Sequence, residues 1–210
     1  MPEITRFIPV PDPEEKSPFH PMAILFHYYP EDTPLRRLLL KHSFQVREKA
    51  FDILSSAPPA LQAETDRALL SAGALLHDIG IMRCSAPGIL CTGTEPYLAH
   101  GILGGQMLRQ YGKRYGMDLG KYASICERHT GSGLTAQEIR LGNLPLPEQD
   151  FLPETTEEKL ICLADKFFSK SGDMQEKSLS RIRRSMEKFG PGPLARFDGL
   201  CRTFGLPAPS

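Results

Sequence analysis

Apolar residues recur at helical spacing along most of the chain. From Leu35 to Ile53 they follow one another at steps of three and four, which places them on one face of a helix. Thr33 and Pro34 provide an N-cap and a first-position proline for that helix. Further helices are predicted at about 61–79, 96–112, 118–129, 155–168, 175–189 and 193–203, with a short one after the capping-box pattern at 135–138. No segment shows the alternation of a strand, so we predict an all-α fold.

Proline and glycine set the boundaries between these helices. Seven prolines precede Pro34, and residues 1–34 are therefore predicted to form an extended N-terminal arm. The apolar stretch from Met22 to Tyr29 within that arm is expected to dock on the body or on a second subunit. Residues 35–205 are predicted to form one helical bundle, with loops at 82–95 and 142–153.

Composition excludes some classes of protein. The chain has 210 residues, and its 25 basic and 25 acidic residues give no net charge. No basic field is present that would attract a nucleic acid polymer. The five cysteines include no C-x-x-C pair, which favours a reducing compartment. Neither a signal sequence nor an apolar run long enough to cross a membrane is found, so we expect a cytoplasmic protein with no membrane partner.

Polar residues interrupt the apolar faces of separate predicted helices. Burying each one without a partner would cost a few kcal/mol. A shared divalent cation offsets all of these costs, since neutral imidazole and carboxylate are natural metal ligands. His20 and His27 lie in the arm, fit no inward face, and are interpreted as surface or packing residues. The inward residues are His42, His77, Asp78, His100, His129 and Asp165.

These residues occur in the order H…HD…H…H…D, with 35 residues from His42 to His77 and 87 from Asp78 to Asp165. In this order, and in the HDIG sequence at 77–80, the chain resembles the two-metal branch of the HD superfamily of metal-dependent phosphohydrolases, which are helical bundles. It is similar to bacterial diadenosine tetraphosphate hydrolases. It is more similar to an uncharacterised HD subgroup with a histidine before a G-x-G-L-T run, here residues 129–135.

The resemblance implies roles for the six residues. His42, His77, Asp78 and Asp165 would hold one metal ion, and Asp78 would bridge to a second ion completed by His100 and His129. Asp78 and His77 would form the catalytic centre, with a hydroxide bridging the two metals as the nucleophile. Two divalent ions are expected, with iron or manganese favoured and zinc, nickel, cobalt or magnesium possible.

The resemblance also implies a small phosphorylated substrate, a nucleotide among the candidates, whose phosphoester or phosphoanhydride is hydrolysed. Many HDIG proteins have a phosphate-binding lysine directly after the glycine, but this chain has Ile81 there. Arg83 and Lys166 are the candidate replacements, and Arg83 is preferred for its planar fork. Two alternatives stay open: a di-iron oxygenase with the same ligands, and a metal-bound regulatory module without turnover. A homodimer is possible.

Overall fold

A computed structural model describes residues 19–207, and helices dominate this part of the chain. The α-helices are α1 (Pro21–Tyr28), α2 (Pro34–Ser56), α3 (Pro59–Glu64), α4 (Arg67–Leu76), α5 (His100–Tyr115), α6 (Gly120–Arg128), α7 (Ala136–Leu141), α8 (Thr156–Asp165), α9 (Leu179–Glu187) and α10 (Pro191–Thr203). Short 3-10 turns lie at Ile79–Arg83, Pro87–Ile89 and Tyr97–Ala99. The prediction of an all-α fold is confirmed.

The capping residues begin their helices as the sequence predicts. The Thr33 hydroxyl accepts a hydrogen bond from the Arg36 amide at 3.2 Å at the start of α2. Both predicted capping boxes form, at Thr135 for α7 and at Thr155 for α8. Each box satisfies amide groups that the first helical turn would otherwise leave without partners.

Several predicted helix boundaries are wrong. The helix predicted from 61 to 79 is two helices, because Asp66 caps α4 by accepting hydrogen bonds from the amides of Ala68 and Leu69. The helix predicted from 96 begins at His100 after a 3-10 turn, and it continues past 112 until Gly116, whose φ of +70° ends it. Helix α9 begins at Leu179 rather than at 175.

The predicted loop at 82–95 contains a small sheet that the sequence did not indicate. Strands β1 (Cys84–Ala86), β2 (Cys91–Thr92) and β3 (Glu95–Pro96) lie in the order β2-β1-β3. Strand β1 pairs antiparallel with β2 and parallel with β3. The prediction that no strand exists is therefore wrong, because strands of two or three residues are too short to show an alternating pattern.

The described part of the predicted arm is not extended. Pro21 stands at the start of α1. The expected docking on the body is confirmed, since Met22, Ile24 and Leu25 are buried and the Tyr29 hydroxyl donates to the Ile79 carbonyl at 2.8 Å. Residues 1–18 of the arm lie outside the described residues.

The buried apolar residues form two clusters. One is formed mainly by α2, α4, α8 and α10, and the other by α1, α4, α5 and α6. Helix α4 contributes to both, and the His77-Asp78 pair follows its last residue. Among residues 19–207, no helix is long and apolar enough to cross a membrane.

Candidate metal centre

Five helices bring the six predicted residues into one buried cluster. His42 lies within α2, His100 begins α5 and Asp165 ends α8. The other three follow a helix end, with His77 and Asp78 after α4 and His129 after α6. All six are buried, and the most exposed, Asp165, retains 8% of its accessible surface. The predicted inward positions of these residues are therefore confirmed, while their role as metal ligands stays a prediction.

Two glycines allow the ligand-bearing segments to approach each other closely. A Cβ at Gly80 would lie 2.2 Å from the His100 carbonyl oxygen, and a Cβ at Gly101 would lie 2.4 Å from the Cys126 carbonyl oxygen. Any larger residue would push these backbones apart. The glycine of HDIG thus fixes the distance between the His77-Asp78 pair and the start of α5.

The two oxygens of Asp78 face different pairs of histidines. Its Oδ2 lies 3.2 Å from Nε2 of both His42 and His77, while its Oδ1 lies 3.4 Å from Nε2 of both His100 and His129. Asp165 Oδ1 joins the first pair, 2.9 Å from His42 Nε2. Asp78 therefore lies between two groups of donors and can belong to both.

Backbone contacts determine which ring nitrogen of three histidines carries the proton. Nδ1 of His77, His100 and His129 each lies 2.7 Å from a carbonyl oxygen, which can only accept a hydrogen bond. Each Nδ1 is therefore the donor, and in the neutral form of each ring the lone pair of Nε2 is directed into the cluster. Nε2 of His100 lies 3.0 Å from Nε2 of His129, an arrangement that a shared cation stabilises.

Burial and neighbouring charges shift the pKa values of the clustered histidines. Burial lowers the pKa of His100 to about 3, helped by His129, and burial also lowers the pKa of His129. Both shifts favour the neutral ring, which is the form that binds a metal ion. Burial alone would also lower the pKa of His77, but Asp78 and Asp165 outweigh it and raise that pKa to about 9.

The donors form two groups, each of which could hold a metal ion. His42, His77, Asp78 and Asp165 form one group and Asp78, His100 and His129 a second, with the donor atoms of each group within 4.8 Å of one another. Neither His77 Nε2 nor Asp78 Oδ1 makes a hydrogen bond to any described residue. Buried polar atoms without partners are costly, and a bound cation removes that cost. Mixed imidazole and carboxylate donors suit transition metals.

A lysine that the sequence analysis did not identify reaches the same cluster. Lys170 Nζ lies 2.5 Å from Asp78 Oδ2 and 3.9 Å from Asp165 Oδ1. These carboxylates outweigh the effect of burial and hold the pKa of Lys170 above its usual range. Tyr97 lies next to it, stacked on His100 with 4.7 Å between ring centroids. Lys170 lies in an irregular segment, where no periodicity indicates the direction of a side chain.

A cavity of about 460 Å³ opens beside the cluster. Asp165 and Tyr97 form the side nearest the metal ligands, and Lys166, Lys170 and Lys177 also line it. Lys166 was one of the two predicted phosphate-binding residues. The other, Arg83, has an exposed side chain and is not among the lining residues. The substrate-binding role of both residues stays a prediction.

Together, the helical fold and this cluster define a helical domain with a buried group of histidines and aspartates that could hold metal ions. The HD domain family model matches residues 39–169, a span that includes all six residues. The chain belongs to the HD domain family, a superfamily of metal-dependent hydrolases.

The chain is also similar to proteins of three organisms. It is 37% identical over 128 residues to an uncharacterised protein of Methanocaldococcus jannaschii, covering 60% of this chain and 64% of that one. Two tRNA (cytidine(56)-2'-O)-methyltransferases match as well. That of Picrophilus torridus is 34% identical over 132 residues, covering 63% of this chain and 32% of the relative. That of Thermoplasma volcanium is 36% identical over 153 residues, covering 72% of this chain and 37% of the relative. The chain thus spans less than two thirds of each relative. No solved structure matches.

Proposed function

We propose that the protein is a metal-dependent phosphohydrolase that acts on a small phosphorylated metabolite. The observation that carries this proposal is the position of Asp78, whose two carboxylate oxygens face separate pairs of histidines. Such a carboxylate is suited to join two cations. When bound, two divalent cations supply the Lewis acidity that activates water and neutralises charge on phosphoryl oxygens.

The chain's own residues would hold these ions and position the substrate. His42, His77 and Asp165 would bind one ion, His100 and His129 the other, and Asp78 both. Backbone carbonyls fix the rings of His77, His100 and His129 by accepting from Nδ1, so their Nε2 atoms are preorganised as ligands. In the reaction water attacks phosphorus, the bond from phosphorus to the leaving oxygen breaks, and that oxygen gains a proton.

The adjoining cavity supports an anionic substrate. Three lysines line it within one short segment of the chain, and a phosphate group matches their charge. We propose iron or manganese as the ions, because the donors combine imidazole nitrogens, which suit iron, with carboxylate oxygens, which suit manganese. We also propose a small molecule rather than a nucleic acid polymer as substrate, since the chain has no net positive charge.

Two of the relatives are named tRNA methyltransferases, but we do not propose methyl transfer for this chain. The matched segments make up 32% and 37% of those proteins, so most of each lies outside the similarity. Four histidines and two aspartates in one buried cluster could hold metal ions, which supports a metal-dependent reaction instead. We propose that the shared segment carries this metal centre, whatever the remainder of those relatives does.

The test is phosphate release from a panel of phosphomonoesters, phosphodiesters and pyrophosphate compounds. The purified protein is reconstituted with Mn²⁺ or, without oxygen, with Fe²⁺. Asp78→Asn keeps the shape of the side chain but removes its charge. This variant should bind less metal, and its rate of phosphate release should fall at least 100-fold, since each ion helps to stabilise the transition state. Asp52→Asn is the matched control, because Asp52 is exposed on α2.

Equal rates for the wild type and Asp78→Asn would reject the proposal. Oxygen uptake by the iron-loaded protein without phosphate release from the panel would also reject it, and would favour the oxygenase. Metal binding with neither activity would favour the regulatory module.

A further inference from the structure

The cavity beside the metal centre contains more positive than negative charge. Lys166, Lys170 and Lys177 line it, while Asp165 is its only acidic lining residue among those described, and Asp78 lies behind it in the cluster. Even with both aspartates counted, one lysine is in excess. Bound divalent cations would neutralise the aspartates and leave all three lysine charges without a protein counter-charge.

The three amines are held in different ways. Lys166 Nζ lies 2.8 Å from Asp165 Oδ2, and Lys170 Nζ lies between the two aspartates. Lys177 Nζ instead donates to the Phe168 carbonyl at 3.1 Å and to the Ser169 hydroxyl at 3.2 Å. Within residues 19–207, no carboxylate oxygen lies close enough to form an ion pair with Lys177.

An ammonium group with only neutral partners, in a half-buried position, is unusual. Burial lowers the pKa of Lys177, although Asp165 acts against this, and the like charges of Lys166 and Arg181 lower it further. Charged side chains inside a protein are normally paired, because removing an ion from water is costly. The position of Lys177 therefore suits an anion that enters the cavity from solvent.

We propose that Lys166, Lys170 and Lys177 form an anion subsite that binds the phosphate chain of a substrate with at least two linked phosphates. This inference rests on the proposed function and specifies its substrate class. Residues after Asp165 would thus supply the phosphate clamp that the chain lacks at Ile81.

The number of lysines argues for more than one phosphate. The charge of a single phosphate monoester is matched by the metal ions that hydrolyse it, so three additional cations require additional negative charge. Serine hydroxyls at 169 and 171 add hydrogen-bond donors on the same wall. Ile182 and Met186 line the cavity as well, which leaves an apolar surface for the uncharged part of the substrate.

The subsite can be tested by binding alone, in the metal-loaded state in which the ions neutralise the aspartates. Protein reconstituted with Mn²⁺ is titrated calorimetrically with inorganic phosphate and with the non-hydrolysable methylene analogues of pyrophosphate and tripolyphosphate, hereafter pyrophosphate and tripolyphosphate. These two should bind at least about tenfold more tightly than phosphate. Lys177→Gln retains an amide donor for Phe168 and Ser169 but has no charge, and it should weaken pyrophosphate binding about tenfold. Lys188→Ala, an exposed site after α9, is the control and should bind as the wild type does.

Melting temperatures and a charge-retaining variant separate binding from folding. Lys177→Arg should bind pyrophosphate within about threefold of the wild type, even if its melting temperature changes. Equal binding by wild type and Lys177→Gln, or no preference for pyrophosphate over phosphate, would overturn the inference. Lysine-dependent pyrophosphate binding without any metal-dependent hydrolysis would support the subsite and reject the proposed function. If the protein hydrolysed monoesters but Lys177→Gln bound pyrophosphate as the wild type does, the proposed function would be supported and the subsite rejected.

Discussion

Gly80 is the residue whose replacement tests the geometry of the metal centre most sharply. A methyl group at this position would lie 2.2 Å from the His100 carbonyl oxygen and 2.4 Å from the Gly104 amide nitrogen. Both contacts are with backbone atoms of α5, which cannot rotate away. To reach an ordinary contact of 3.4 Å, the turn and the helix would have to separate by roughly 1.2 Å.

This displacement has a consequence for stability and a larger one for metal binding. Overpacking of this kind costs about 1–3 kcal/mol, which corresponds to ~3–10 °C in melting temperature for a chain of this length. Metal sites tolerate errors of only ~0.2 Å in ligand distances. Because His100 begins the displaced helix, Gly80→Ala should lose the ion held by His100 and His129 before it loses the other.

The assay is metal content per folded chain, measured together with thermal unfolding. Gly199→Ala is the matched control, since the nearest atom to a Cβ there is 3.8 Å away and the residue lies in α10, away from the cluster. It should keep its metal and melt at or above the wild-type temperature. If Gly80→Ala bound metal as the wild type does, the close packing of the turn on α5 would not set the ligand distances.

Two further predictions concern stability. Removing the metal ions with a chelator should lower the melting temperature by ~5–10 °C, because a ligand at 100 times its Kd stabilises the folded state by about 2.7 kcal/mol, and adding Mn²⁺ should restore it. Arg196 donates to the Glu138 carboxylate at 2.7 Å and to the Gly133 carbonyl at 3.0 Å, which ties α10 to the loop after His129. Arg196→Ala should cost about 1 kcal/mol and lower the melting temperature by ~2–4 °C, while Arg184→Ala, exposed on α9, should not.

The sequence was sufficient to predict the cluster because its members lie in predicted helices or directly at their ends. His42, for example, falls on the same face as Leu39 and Val46, and all three are fully buried. Helical period decides which side chains face inward, and a polar residue on such a face requires a partner. The helices were predicted for the same reason, and the capping boxes at Thr135 and Thr155 located two helix starts correctly.

The sequence could not predict the positions of side chains in segments that lack helical periodicity. Lys170 and Lys177 lie between α8 and α9 in irregular backbone, so only the structure shows that their amines reach the cavity. Arg83 was preferred to Lys166 as a phosphate ligand on chemical grounds alone. Its 3-10 turn leaves the side chain exposed, while the last turn of α8 brings Lys166 within 2.8 Å of Asp165. The strands between 84 and 96 are too short to be recognised from alternation.

The most direct test of the two-metal centre is the metal content of the protein reconstituted with Mn²⁺ and freed of excess ion, with His129→Ala measured beside the wild type. Two donor groups that share Asp78 predict two ions per wild-type chain. His129→Ala should then retain one ion, because the group of His42, His77, Asp78 and Asp165 stays intact. A wild type that binds no more ions than His129→Ala would contradict the second metal site, and a wild type that binds none would contradict the metal centre itself.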